Sequence, residues 1–444
     1  MSDHPDVLII GGGPAGTTAG AHLARDGHDV VLLEKGAHPR FHIGESLLPM
    51  NLPILERLGV LDAVQKLGVV KRGADFTCGD EPDDYNTYRF DRALGDSPGH
   101  AFEVRRDDFD ALLFANCRRA GVRAFENHRV VDVALSDCGS HSLLSRDADG
   151  ALREWRPRLV LDASGREGGL AARNRWRRKN PRHASAAVFG HFTGVERRPG
   201  ADAGNISVYW FDHGWLWMIP LPDGVMSVGA VCWPEYLKTR RTDPQRFLLD
   251  TVASCPAAAG RIADAVAVGP VRMASNYSYR AERLWGEGYL LLGDAFAFVD
   301  PVFSSGVYLA MHSAESAIAP VQAWLGDERR AYRRRARAWE KRIVRGLDAY
   351  SWFIYRFTSP AMRNLFRAPR NLWQVEQAVV SMLAGDVFGN RRIDARLMFF
   401  RLIYAISYAF TLRDSFRAWR DRLRNAAVDH VELTATDTPG LPGK

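Results

Sequence analysis

The chain has 444 residues, 46% of them hydrophobic and 25% charged, with a net charge of +7. That length excludes a single small domain and asks for two or three, with ample apolar sequence for a large core. Its five cysteines (Cys78, Cys117, Cys138, Cys232, Cys255) form no close pair, which reads as reduced thiols in a cytoplasmic protein rather than a disulfide framework.

The N-terminal "MSDHPDVLIIGGG" has no basic region and only a short apolar run, so no signal peptide is read there. "DVLII", "GGGPAG" and "TTAGAHLARDG" predict a strand, a tight glycine turn and a helix, and "HDVVLLEKG" predicts the next strand. This βαβ beginning favours a parallel sheet. "RRDDFDALLFANCRRAGV" predicts a helix, "VVDVAL" a strand, and "RLVLDASG" at 158–165 an apolar strand closing on a turn. From about 183 to 275 the pattern changes to strand-like runs split by turn residues, which predicts a mostly antiparallel insertion. One run, "GWLWMIP" at 214–220, places Trp215, Trp217 and Ile219 on one face, because alternate strand residues share a side. "GYLLLGDAF" returns to the buried-strand pattern, and beyond 307 the chain reads as helical and rich in arginine. Arginine runs such as "RRAYRRRARAWEKR" read as solvated helix faces. "LMFFRLIYAISYAF" at 397–410 is too short to span a membrane and carries Arg401. It reads as a buried helix, with an interfacial membrane contact as the weaker alternative. Residues 431–444 read as a disordered tail.

Gly11, Gly13 and Gly16 fit G-x-G-x-x-G between a strand and a helix. The first permits the turn, the second lets backbone approach a pyrophosphate, and the third lets helix pack on strand. The helix N-terminus carries partial positive charge toward the phosphates. Glu34, ending the second strand, is placed to accept hydrogen bonds from a ribose. The triplet therefore predicts dinucleotide binding.

"LLLGDAFAFVDP" resembles the second flavin contact of the glutathione-reductase-type FAD proteins, in which Asp294 would meet the ribityl chain. "LVLDASG" (Asp162, Gly165) resembles their middle motif, and Arg106 resembles an arginine that aromatic hydroxylases aim at the cofactor. "IGESLLP" (43–49), WxWxIP and "FVDPVFSSG" (298–306), in that order, resemble the flavin-dependent halogenases over roughly residues 6–310. The branch with GESLLP chlorinates phenols, pyrroles or carrier-bound acyl groups.

The resemblance implies FAD used as FADH2, O2, and chloride or bromide converted to hypohalous acid, with a separate NAD(P)H-dependent flavin reductase as partner. On the cofactor side it implies Gly11, Gly13, Pro14, Ala15, Gly16, Glu34, Lys35, Arg40, Ser46, Arg106, Asp294, Pro301 and Gly306. It implies a halide site at Ser304, Ser305 and Gly306, and a substrate wall of Trp215, Trp217, Ile219, Pro220 and Phe303. Lys71 matches the family lysine that presents the oxidant, and burial among apolar neighbours would free its amine. Tryptophan halogenases carry a glutamate where this chain has Phe303, which argues against free tryptophan as substrate. Glu45 is the carboxylate available to Lys71, and Tyr350 a further proton-sharing candidate.

The fold class read from the sequence is α/β (α+β). A Rossmann-like FAD-binding domain takes 1–75, 103–182 and 270–330, a β-sheet substrate domain 76–102 and 183–269, and a helical region 331–430. No metal motif, serine-hydrolase elbow or nucleic-acid motif is present in the sequence. The basic helical region fits an acidic acyl carrier protein. The same scaffold also serves aromatic hydroxylases, reductases of the geranylgeranyl type and a non-enzymatic flavin-binding platform, and fold alone does not choose among them.

Overall fold

The structure, a computed structural model, describes residues 3–136, 141–180, 183–275, 278–412 and 420. Short, wholly apolar runs make its central strands, as burial on both faces requires. Val7–Ile10 lies between Val30–Leu33 and Leu159–Asp162, and all three pair in parallel. Tyr289–Leu291 and Arg123–Phe125 extend the parallel sheet on either side, and Trp285–Gly286 adds one antiparallel edge. Helix Pro14–Arg25 packs against helices Arg106–Arg119 and Ser305–Ser316.

The second sheet has eight strands, in the order Val266–Ala267, Ala186–Thr193, Met226–Cys232, Gly214–Pro220, Ile206–Phe211, Gly73–Thr77 and Tyr85–Arg89, with Arg272–Ser275 also on Ala186–Thr193. Every pairing in it is antiparallel except that of Ile206–Phe211 with Gly73–Thr77. Gly73–Thr77 runs across the edge read from the sequence at 75, and Arg272–Ser275, inside the segment read as 270–330, pairs in this second sheet. Two short strands, Val69–Lys71 and Ala101–Glu103, pair beside this sheet, and Ser46 bridges to Glu103.

The arginine-rich helix Arg329–Ile354 buries Tyr332, Ala336, Trp339, Ile343, Leu347 and Tyr350, one face of a 3.6-residue repeat. Its arginines take the other face. Helix Arg391–Phe410 corrects the expectation of a buried segment at 397–410. Leu397, Phe400 and Tyr404 are buried, while Met398, Leu402, Ile406 and Phe410 are exposed, because only one face meets the core. Among the described residues no helix is long and apolar enough to cross a membrane. The tail at 431–444 lies outside the described residues.

Gly229 faces Trp217 across the second sheet, and a Cβ there would come within 2.2 Å of the indole. Gly229→Ala is expected to cost about 1–3 kcal/mol through overpacking. Denaturant unfolding measures it, and unchanged stability would show that the ring is free to move.

Candidate active site

A cavity of about 570 Å³ runs from the glycine turn to the face of the Gly214–Pro220 strand. The turn is forced. Gly11 has φ +103°, and a Cβ on it would meet Ala163 O at 2.4 Å. A Cβ on Gly16 would meet Gly11 O at 2.0 Å, so helix and turn touch only because that side chain is missing. Gly13 differs: a Cβ there would meet nothing within 4 Å, and the residue lines the cavity at the start of helix Pro14–Arg25. Glu34 is buried at the same end. It accepts from Gly12 N–H at 2.7 Å and Gly36 N–H at 3.0 Å, and Arg40 lies 3.6 Å away. Lys35 pairs with Glu167 at the rim.

Arg106 is held bidentate by Asp110, with Nε–Oδ1 at 2.8 Å and Nη2–Oδ2 at 3.0 Å, and donates to Ile43 O at 2.8 Å. It thus fixes the 43–46 loop along the cavity. Asp294 faces the cavity, and burial pushes its carboxyl up to about 6 against the pull of Arg166 and Arg106. His42 lines the same space, and burial, with Arg106 next in effect, lowers it to about 4, so it is a neutral imidazole. Ser304 has φ +55° and precedes helix Ser305–Ser316; Ser304, Gly306 and Pro301 line the cavity. A helix N-terminus with open amides suits an anion.

At the far end Trp215 and Trp217 stand side by side, ring centroids 5.7 Å apart, with Ile219 beyond them. Trp215 Nε1–H donates to Asp300 Oδ1 at 3.2 Å, and Trp217 Nε1–H to Ser227 Oγ at 3.2 Å. Trp215 also lines a second, smaller cavity with His183, Trp233, Asp300, Tyr355 and Phe357. The indole is therefore a partition with the large cavity on one side and, on the other, a space of only about 10 Å³, about enough for one water.

Glu45 lines the main cavity, is 1% exposed, and shares a 2.6 Å hydrogen bond with His191 Nε2. Its neighbour Ser46 accepts from Lys71 Nζ at 2.8 Å. Lys71 is 1% exposed, also donates to Leu47 O at 3.1 Å, and does not itself line the cavity. Burial lowers its amine below the ordinary lysine range. Ser46 stands between it and the open space.

These residues fit a flavin dinucleotide: an uncrowded glycine at a helix N-terminus, an acid at the ribose end, and a continuous cavity beyond. A family model for the FAD binding domain matches residues 4–334. The chain is 35% identical to a tryptophan 2-halogenase of Chondromyces crocatus, over 72% of this chain and 62% of that one. It is 28% identical to a 1H-pyrrole-2-carbonyl-(peptidyl-carrier protein) chlorinase of Pseudomonas fluorescens, over 89% of this chain and 92% of that one. Among solved structures, the myxobacterial chondrochloren halogenase is 30% identical with a TM-score of 0.73, covering 91% of this chain and 97% of that one. The chain belongs to the flavin-dependent halogenase family. It spans 62–66% of the length of several curated relatives it matches.

In this halogenase-family chain the structure brings Glu45, Ser46, Arg106, Asp294, Ser304 and Gly306 to one cavity with the two tryptophans. It does not bring Tyr350 there. Tyr350 is buried in the helical region, its hydroxyl donating to Met382 O at 3.2 Å. Ser305, Pro220 and Phe303 are buried but do not line the cavity. Phe303 instead packs in an aromatic cluster with Phe357 and Phe366. Asp162 is structural: it accepts from Ser164 N and Leu170 N and holds the turn beside the glycines. Sequence reading missed His42, Glu103, Asp110, His191 and Asp300. Only Asp110 had a local signal, lying one helical turn after Arg106.

Gly13→Val fills the space left open beside the helix N-terminus. FAD affinity, followed by fluorescence titration, is expected to fall at least about tenfold, while apo stability changes by no more than about 1 kcal/mol. Unchanged affinity would place the pyrophosphate elsewhere.

Proposed function

We propose that this chain is an FADH2-dependent halogenase that uses O2 and chloride or bromide to halogenate an electron-rich substrate. The observation that carries the reading is the partition: Trp215 and Trp217 wall the end of the large cavity, and Lys71 lies one hydrogen bond behind Ser46 in the wall of the same cavity. Reduced FAD, with O2, supplies the two-electron oxidation that makes halide electrophilic.

The remaining work belongs to the chain. The glycine turn and Glu34 hold the nucleotide end. Arg106 and Asp110 hold the 43–46 loop, and Asp294, which lines the cavity, would hold the ribityl chain. Ser304 N–H is taken by Pro301 O at 2.9 Å, so the Gly306 amide at the helix N-terminus is the one placed on the cavity to attract halide. Trp215, Trp217 and Ile219 form a wall that would keep substrate from the flavin. Lys71 receives the oxidised halide, and Glu45 with His191 places a carboxylate on the route. Tyr350 takes no part in this scheme.

A phenolic or aryl-polyketide substrate, free or carrier-bound, is the electron-rich class this reading favours, with Trp215 and Trp217 as the aromatic wall it would meet. The match to a chlorinase whose name specifies a carrier-bound pyrrole supports a tethered substrate. Exposed Arg391, Arg392 and Arg401 would attract an acidic carrier protein. The match to a tryptophan 2-halogenase keeps indoles in any substrate panel. A separate NAD(P)H-dependent flavin reductase would supply FADH2.

The test incubates enzyme, FADH2 from a reductase, O2 and bromide or chloride with phenols, indoles and carrier-bound pyrrole, and reads products by mass spectrometry. A halogenated product is expected, falling at least about a hundredfold in Lys71→Ala while FADH2 oxidation continues, a loss of about 2.7 kcal/mol or more in product-forming transition-state stabilisation. Hydroxylated product formed with NADPH alone, without a reductase, would instead support the aromatic monooxygenase reading.

A further inference from the structure

Lys71 and Glu103 meet because their strands pair antiparallel and Ser46 bridges to the end of one of them. Lys71 Nζ lies 4.0 Å from Glu103 Oε1, and neither side chain is more than 2% exposed. The ring of Phe90, 5.3 Å from the amine, covers another side. Lys71 spends its hydrogen bonds on Ser46 and Leu47. Neither carboxyl oxygen of Glu103 has a hydrogen bond of ordinary geometry among the described residues. A buried carboxylate with so little hydrogen bonding is costly, so the cation facing it matters.

The other charged groups around the pair are carboxyls. Glu45 faces Glu103 and is tied to His191. Asp75 faces Lys71 and is held by Thr87 and Asn205, with Arg198 3.9 Å away.

We propose that Glu103 is the proton partner of Lys71, a positioning residue that takes the ammonium proton and releases the neutral amine. At 4.0 Å the proton is relayed by the Ser46 hydroxyl, which accepts from Lys71 at 2.8 Å and lies beside Glu103: one N–H bond breaks at Lys71, one O–H bond forms at Glu103, the hydroxyl is regenerated, and no electrons are transferred. The pair moves between ammonium–carboxylate and amine–carboxylic acid with no change in net charge. Burial favours the neutral form from both ends. It lowers Lys71, with Glu103 and Asp75 opposing. It pushes Glu103 up to about 7, against Lys71 and the nearby Ser46 hydroxyl. The inference rests on the halogenase reading only for the use to which the amine is put.

The chain has seven lysines, so Lys71→Arg identifies one resonance in the spectrum of protein labelled with ¹⁵N-lysine. The titration uses the full chain loaded with oxidised FAD, without halide or reductant. Lys71 is expected to titrate at least about one pH unit below the other lysines. Glu103→Gln removes the charge that holds the proton on the amine, so the midpoint falls by about a further unit, and Glu103→Asp restores most of it. The thermal midpoint of each variant reports separately on packing. Lys71 titrating with the other lysines, or a midpoint unmoved in Glu103→Gln, overturns the proposal. If Glu103→Gln does not fold, the wild-type titration and Glu103→Asp decide it. No turnover enters this measurement, so a failure to halogenate and a failure of the pairing are separate results.

Discussion

Two indoles on one face of a single strand set the form of this site. Strand alternation puts Trp215 and Trp217 side by side, and Gly229 leaves the room that the second ring fills. Their N–H groups are tied to Asp300 and Ser227, so the rings are fixed by hydrogen bonds as well as by packing. The rest is arranged around that partition. The parallel sheet and its glycine turn close one end of the large cavity, helix Ser305–Ser316 presents its N-terminus to it, and the loop of Glu45 and Ser46 lines its side.

Behind that loop lies a group of buried titratable side chains. Glu45 with His191, Lys71 with Ser46 and Glu103, and Asp75 with Asn205 are all drawn from water. Charges interact strongly in such surroundings, and protonation responds to small changes nearby. Burial pushes the Asp75 and Glu103 carboxyls up to about 7, which brings both into the pH range where enzymes work. A lysine in this company differs chemically from a surface lysine.

Much of this was legible in the sequence where the signal was local. The glycine triplet, the apolar strands and the alternating antiparallel insertion each declare themselves within a dozen residues, and the structure has them in the expected order. The site was legible only in part, because its pairings are made across the sheets. His191 reaches Glu45 over 146 positions and Asp300 reaches Trp215 over 85. Glu103 meets Lys71 through a two-strand pairing of three residues each, too short to stand out as a pattern. Tyr350 illustrates the converse. Its aromatic surroundings were visible, but its burial against Met382 follows from how the helices pack.

The scaffold alone is compatible with hydroxylation and halogenation, so the partition carries the functional claim. The most direct measurement supplies the wild-type enzyme with FADH2, ¹⁸O₂, saturating bromide and an electron-rich phenol, and weighs the products. A tight partition predicts brominated phenol with no ¹⁸O incorporated. Phenol carrying ¹⁸O in place of bromine would mean that substrate reaches the flavin directly, and would contradict the role given to Trp215 and Trp217.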